Sequence, residues 1–151
     1  MADDDLEPVR KLVAGDHGLA MVATTRADGG VQASVVNAGV LPHPVSGRDV
    51  VGFVAIGGSA KLRHLRKRPG VTLVLRAGWN WVAVEGAAEL AGPDDALPGV
   101  DTERTRVLLR EIFTAAGGSH DDFDEYDRVM AAERRTAVLI TPRRIYGNRY
   151  G

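Results

Sequence analysis

The residues best suited to binding a ligand lie in one stretch, residues 57–69, where two glycines are followed by a serine and several basic side chains. A predicted strand, residues 50–56, runs directly into the glycines, which allow the backbone to turn tightly. Ser59 is then placed to cap a new helix. A helix N-terminus offers unpaired backbone N–H groups and the positive end of the helix dipole. With the hydroxyl of Ser59 and the ammonium group of Lys61, this turn, including Gly58, predicts a binding site for a phosphate.

The helix that follows the turn is amphipathic. Leu62 and Leu65 lie on its apolar face, and Pro69 ends it. The same pattern is typical of a helix whose basic face is simply solvated, so both interpretations stay open. A nucleic-acid-binding helix is a weaker alternative, because no aromatic residues are interleaved with the basic ones and the rest of the chain is balanced or acidic. The basic residues are Lys61, Arg63, His64, Arg66, Lys67 and Arg68.

Composition limits the class of protein. The chain has 151 residues, 44% hydrophobic and 26% charged, with a net charge of -1, which predicts a single domain spanning residues 1–151 and no general attraction to nucleic acid or membrane. It has no cysteine, so disulfides and thiolate metal sites are excluded. The four histidines are far apart in the sequence, and we predict no metal site. The acidic start, residues 1–5, is unlike a signal peptide, and no apolar run is long enough to cross a membrane, so we expect a cytoplasmic protein.

Two further stretches are candidates for a ligand surface. The predicted strand of residues 31–41 has one small, partly polar face, formed by Gln32, Ser34, Val36 and Ala38, and one apolar face that is interrupted by Asn37. Such a strand can bury one face in a barrel and offer the other to a ligand, although a half-exposed strand gives the same pattern. Trp79 and Trp81 lie on one side of the predicted strand of residues 79–90. They could form a wall for a flat aromatic ligand or pack in the core.

The order of predicted elements indicates the fold class. Six strands with short turns are interspersed with helices, and no βαβ repeat is present, which argues against a Rossmann fold. We predict a mainly β protein with helices (α+β), built on a small closed or split barrel. The predicted strands are residues 19–25, 31–41, 50–56, 71–76, 79–90 and 136–140. The predicted helices, besides the basic one, are residues 6–13, 102–116 and 121–134.

Taken together, these features resemble the split barrels related to pyridoxamine 5'-phosphate oxidase. Ser59-Ala60-Lys61 is similar to the Ser-Arg-Lys phosphate element of that family, and residues 81–90 are similar to its following strand. The match is closer to the actinobacterial branch that uses the deazaflavin coenzyme F420. That branch has a Lys-x-Arg-x-Leu-Arg-x-x-Pro pattern, as in residues 61–69. It also has an acidic-aromatic stretch like residues 122–126 and an ending like Arg134-Arg135 and Tyr146-Gly147. The resemblance covers residues 18–147.

The resemblance implies a homodimeric oxidoreductase that transfers a hydride between reduced deazaflavin and a small organic acceptor. Ser59, Lys61 and the helix N-terminus would bind the cofactor's phosphate, and Arg63 would meet the carboxylates of its tail, with Arg66 or Arg68 as further candidates. The tryptophans of the partner subunit would close the site, and no side chain is assigned as general acid. The implied cofactor-binding residues are Gln32, Ser34, Val36, Asn37, Gly58, Ser59, Lys61, Arg63, Trp79 and Trp81.

The sequence departs from the family at two places. Ala60 replaces the middle Arg of the oxidase's phosphate element, and the flavin-binding Arg and Lys of its second strand are absent from residues 33–38. Both departures weaken a strict oxidase assignment and suit a deazaflavin, whose anionic oligoglutamate tail requires a broad basic surface. Two alternatives remain: an FMN-binding flavoprotein on the same fold, and a carrier that binds a flavin, deazaflavin or haem without turnover.

Overall fold

Six antiparallel strands form a closed barrel in the computed structural model, which describes residues 5–148. The barrel order is β1-β2-β3-β6-β5-β4, and every neighbouring pair is antiparallel. The predicted α+β barrel is therefore confirmed, whereas most of the acidic start lies outside the described residues. The strands are β1 (Leu19–Thr25), β2 (Val31–Pro42), β3 (Asp49–Ala55), β4 (Gly70–Ala77), β5 (Asn80–Ala91) and β6 (Thr136–Gly147); the helices are α1 (Glu7–Gly15), α2 (Ala60–Lys67), α3 (Thr102–Ala115) and α4 (Phe123–Ala132).

The barrel interior is filled by apolar side chains that alternate along each strand, as the period of two requires. Val22, Phe53, Leu73, Val84 and Ile140 are fully buried there. The side chains of Leu62 and Leu65 on α2 and of Val9 on α1 belong to the same core, so these two helices cover the barrel.

A second core lies outside the barrel, between its wall and α3. Leu41 and Val50 from β2 and β3 and Leu139 from β6 pack there against Leu108 and Ile112 of α3. This explains why β3 is buried on both faces. The helix pair α3–α4 thus covers one side of the barrel. The strands of the barrel wall form the floor of the space beneath these helices.

Helices α3 and α4 are tied together by buried and partly buried polar contacts. The hydroxyl of Tyr126 donates to the carbonyl oxygen of Leu109 at 3.0 Å. The carboxylate of Asp127 accepts from Arg106 and Arg110, and the hydrogen bond from Arg110 is the main reason why the pKa of Asp127 lies below its usual value. These contacts fix α4 on α3 at a defined position.

The last strand is longer than the sequence predicted. We predicted a strand over residues 136–140 followed by a tail, but β6 continues to Gly147. Pro142, which has no N–H to donate, lies where the pairing of β5 with β6 shifts register between Glu85 and Gly86. A register shift tolerates a proline, because regular ladder pairing is interrupted there.

The other predicted boundaries lie within two residues of those observed. None of the helices between residues 5 and 148 combines the length and the apolarity that a bilayer span requires.

Candidate functional site

The turn between β3 and α2 is held against the segment that joins α4 to β6. Gly58 adopts a φ of 79°, a left-handed conformation that disfavours other residues. The N–H of Gly57 donates to the carbonyl oxygen of Glu133 at 3.0 Å, and a Cβ at Gly57 would lie 2.7 Å from the Cβ of Arg134. Glycine at position 57 therefore allows residues 57–59 to pack directly on residues 133–135.

Ser59 occupies the N-cap position of α2 but does not cap it. Its backbone is extended, and its side chain makes no hydrogen bond to the helix, so the predicted capping role is wrong. Its Oγ is nevertheless buried and has no hydrogen-bond partner among residues 5–148. A buried hydroxyl without a partner costs about 1–3 kcal/mol, and the first N–H groups of α2 also lack intrahelical acceptors. An anion bound at this point would satisfy both.

Two positively charged side chains, Lys61 and Arg135, lie near the N-terminus of α2. The pKa of Lys61 is lowered from its usual value, first by partial burial and then by the positive charge of Arg135. Arg135 follows α4, and its Nε donates to the carboxylate of Glu133 at 2.8 Å. We call Ser59, Lys61 and the N-terminus of α2 the phosphate seat; Arg135 is its neighbour.

A pocket of about 380 Å³ opens next to Arg135, beneath α3 and α4. Its walls are largely apolar and include the rings of Phe113 and Tyr126, whose centroids are 4.9 Å apart. Pockets of this size with aromatic walls and few polar groups are typical of small-molecule sites. The lining residues are His17, Asn37, Val54, Ile112, Phe113, Ala116, Gly117, Gly118, Tyr126, Met130 and Arg135.

The four candidates on β2 do not share one surface. The pairing of β1 with β2 places Gln32, Ser34 and Val36 opposite Thr24, Val22 and Ala20, all of which are buried. These three candidates therefore face the barrel interior. Asn37 lies on the outer face, where its amide donates to the carbonyl of His17 at 2.9 Å, and it alone of the four lines the pocket.

The two tryptophans lie at the start of β5 and in the turn before it. Trp79 is in the turn between β4 and β5 and is 93% exposed, whereas Trp81 is 36% exposed and meets the ring of Tyr146 edge-on. Asn148 stabilises this turn with two hydrogen bonds. Its Oδ1 accepts from the N–H of Trp81, and its Nδ2 donates to the carbonyl oxygen of Trp79. Neither tryptophan lines the pocket of its own chain.

A separate basic groove of about 560 Å³ runs between the β1–β2 turn and α2, and Arg63 and Lys67 line it. Not all of its arginines are available to a ligand. Arg66 binds Asp95 with two hydrogen bonds of 2.8 and 2.7 Å, and Arg68 donates to the carbonyl of Thr25. Arg63 donates to the carbonyl of Gly58 at 2.6 Å, which ties the groove to the turn of the phosphate seat.

Sequence reasoning missed the pocket walls on α3 and α4 and the position of Arg135. Phe113, Tyr126 and Met130 carry no signal beyond the apolar periodicity of ordinary core residues. Arg135 is more visible in retrospect, because a charged residue immediately before a buried strand needs a reason. Within residues 5–148, no three His, Asp or Glu side chains gather closely enough to hold a metal ion.

Solved structures share this architecture at low sequence identity. An F420 reductase is 16% identical over 91% of this chain and 94% of that one, with a TM-score of 0.60. A putative pyridoxamine 5'-phosphate oxidase from Listeria innocua is 12% identical over 98% of both chains, with a TM-score of 0.59. The fold is the split barrel of the pyridoxamine phosphate oxidase-like proteins.

The same split barrel occurs in proteins with different ligands. A heme binding protein from Mycobacterium smegmatis is 16% identical over 93% of this chain and 52% of that one, with a TM-score of 0.64. No model of a known protein family matches the chain. At these identities the likeness establishes the split barrel, and the ligand has to be argued from the residues of the site.

Proposed function

We propose that this split barrel is an oxidoreductase that binds coenzyme F420 and transfers a hydride between the reduced deazaflavin and a small organic acceptor. The observation that carries the proposal is the buried, unpartnered Oγ of Ser59 at the N-terminus of α2, beside Lys61. These groups fit a phosphate, since they supply a hydroxyl, backbone N–H groups and a positive charge. The pocket under α3 and α4 has the size and the aromatic walls that suit a flat ring system.

The chain's own residues would bind and orient the cofactor, and the bound deazaflavin would supply the hydride chemistry. The phosphate seat fixes one end of the molecule. Arg63 and Lys67 in the basic groove offer positive charge to an anionic tail. The floor and cover of the pocket exclude water from its apolar part.

Tyr126 is poorly placed as a general acid. Burial raises the pKa of Tyr126 to about 12, and its hydroxyl is already committed to the carbonyl of Leu109. Proton transfer from Tyr126 at neutral pH is therefore unfavourable. We propose that solvent supplies any proton that the acceptor requires.

We expect coenzyme F420 to bind more tightly than FMN. Residues 33–38 of β2 carry no Arg or Lys, whereas the basic helix is retained, which favours a cofactor with a long anionic tail. Fluorescence titration of both cofactors at equal ionic strength measures the difference. Tighter binding of FMN, or purification of the protein with FMN at full occupancy, would reject the deazaflavin assignment in favour of a flavoprotein. Cofactor binding without turnover of any acceptor would favour the carrier.

The proposal includes a homodimer. The outer face of β1 and β2 exposes apolar side chains in register, since Met21 pairs with Val35 and also with Val74 of β4. Met21 is 53% and Val35 64% exposed, and Leu19 and Val31 extend the patch. A continuous apolar sheet surface of this kind is typical of a protein–protein interface. A second copy bound there would cover it, and we propose, from the family resemblance, that the partner's tryptophans would then close the cofactor site.

Val35→Glu is expected to convert the dimer to a monomer, because a buried carboxylate without a partner costs several kcal/mol. Light scattering over a concentration series measures the change. Val129→Glu is the matched control, since Val129 is 41% exposed but belongs to α4 and not to this sheet face. A wild-type protein that is monomeric and still binds cofactor would contradict the dimer.

A further inference from the structure

We propose that Arg135 is the second cation of the phosphate seat and makes the site select the phosphorylated form of a cofactor over the same cofactor without phosphate. This inference rests on the proposed function, since it concerns the same site. The residue lies 74 positions from Lys61 in sequence, and its place beside the seat is a product of the fold.

Backbone hydrogen bonds position Arg135 near the phosphate seat. Helix α4 ends with the N–H of Arg134 bonded to the carbonyl of Ala131 and that of Arg135 bonded to the carbonyl of Met130, the pattern of a Schellman motif. Arg134 takes the left-handed position of that motif, with a φ of 50°. The turn before α2 is bonded to the same segment through Glu133, so Arg135 and α2 are held together by backbone contacts.

The guanidinium of Arg135 is oriented by one hydrogen bond, and part of its donor capacity is left over for a ligand. Its Nε donates to the carboxylate of Glu133, and its two Nη groups make no hydrogen bond among residues 5–148. The arginine lines the pocket under α3 and α4, and it also lines a neighbouring cavity of about 600 Å³ beside α3 and α4. Arg135 is therefore accessible from the pocket in which we expect the ligand to bind.

The charges around the seat favour an anion. Partial burial is the larger cause of the lowered pKa of Lys61, and repulsion by the positive charge of Arg135 adds to it. The carboxylate of Glu133 accepts from the Nε of Arg135, and this single negative charge does not balance the two positive charges of Lys61 and Arg135. A phosphate between the two side chains would relieve the repulsion, and it would accept from Ser59 Oγ and from the Nη groups. A neutral hydroxyl in its place would relieve none of it.

The test compares pairs of ligands that differ in phosphate. The first pair is coenzyme F420 and its deazaflavin chromophore, which lacks both phosphate and tail. The second pair is FMN and riboflavin, which have the same ring system and differ only in the phosphate. We expect Arg135→Gln to weaken binding of the phosphorylated ligand by about 10-fold or more, the size of a charge-assisted hydrogen bond. The ligand without phosphate should bind as it does to the wild type. Arg135→Lys should retain part of the preference.

Arg134→Gln is the matched control. Arg134 is the adjacent arginine, but its guanidinium is exposed and paired with Asp94, so the preference for phosphate should not change. A second readout is the pKa of Lys61, one of three lysines in the chain, followed by NMR. It should rise in Arg135→Gln, because a positive neighbour is removed, and stay unchanged in Arg134→Gln.

The outcomes separate this inference from the proposed function. If Arg135→Gln leaves the phosphate preference intact while Lys61→Ala reduces it, Arg135 has no part in the seat and the inference is wrong, but the proposed function stands. If neither substitution changes the preference, the seat itself is wrong and both proposals fail. Loss of binding of both ligands of a pair in Arg135→Gln would mean that the residue supports the fold of the site, and that too would overturn the inference.

Discussion

Lys61→Ala is expected to weaken cofactor binding by about 1.5–3 kcal/mol, or roughly 10- to 150-fold, the usual range for a charged hydrogen bond. Lys61 belongs to the first turn of α2 and is partly buried, and Ser59, whose Oγ has no partner among the described residues, precedes that turn. Its burial shields the contact from solvent ions, so most of the loss should persist in high salt. The stability of the fold should remain near that of the wild type. Isothermal titration calorimetry at two salt concentrations measures the loss of affinity and how much of that loss depends on salt.

Lys67→Ala is the internal control for that experiment. Lys67 is the same residue type on the same helix, but it is the last residue of α2, it is exposed, and it lines the basic groove. Its loss should have a smaller effect that fades with added salt, as expected of an exposed charge. Equal, small and fully screened losses in the two variants would mean that α2 is only a basic surface, and the ligand site would have to be sought elsewhere.

The sequence was most informative where a physical constraint acts locally. Alternation of apolar residues predicted the strands, and the glycines before Ser59 predicted the turn and the helix, because these depend on neighbouring residues only. The prediction failed at Pro142, since a proline normally argues against a continuing strand. The register shift that admits it depends on how β5 pairs with β6, which a single strand does not reveal.

The site could be predicted only in part for the same reason. Ser59 and Lys61 are close in sequence, so their proximity follows from one turn of helix. Arg135 reaches them through the pairing of β3 with β6 and the end of α4, contacts between residues far apart in the chain. The orientation of β2 was also beyond the pattern, because alternation defines two faces but does not say which one faces the barrel interior. Gln32 and Asn37 lie on opposite faces of the predicted strand, and the pairing of β1 with β2 turns Gln32 inward and leaves Asn37 on the outer face.

Gly39→Ala is expected to destabilise the protein by about 3 kcal/mol, at the upper end of the usual cost of overpacking. Gly39 lies on β2 where the last turn of α3 crosses the barrel. A Cβ there would be 2.3 Å from the carbonyl carbon of Ala115 and 2.5 Å from the backbone nitrogen of Ala116. Backbone atoms cannot rotate away, so α3 would have to lift from the strand. Chemical denaturation measures the change, with the midpoint shifted and the slope unchanged.

Gly70→Ala is the matched control, because a Cβ at Gly70 meets no atom within 4 Å and the residue also lies in a strand. It should change stability by no more than about 0.5 kcal/mol. The comparison also tests the pocket, since the end of α3 contributes Phe113 and Ala116 to its wall while Asn37 and Val54 form the floor. Lifting α3 widens the gap between wall and floor, so Gly39→Ala should weaken cofactor binding as well, even though residue 39 does not line the pocket. A Gly39→Ala protein as stable as Gly70→Ala would show that α3 does not rest on β2 in solution, and the pocket would then not have the shape on which the proposed function depends.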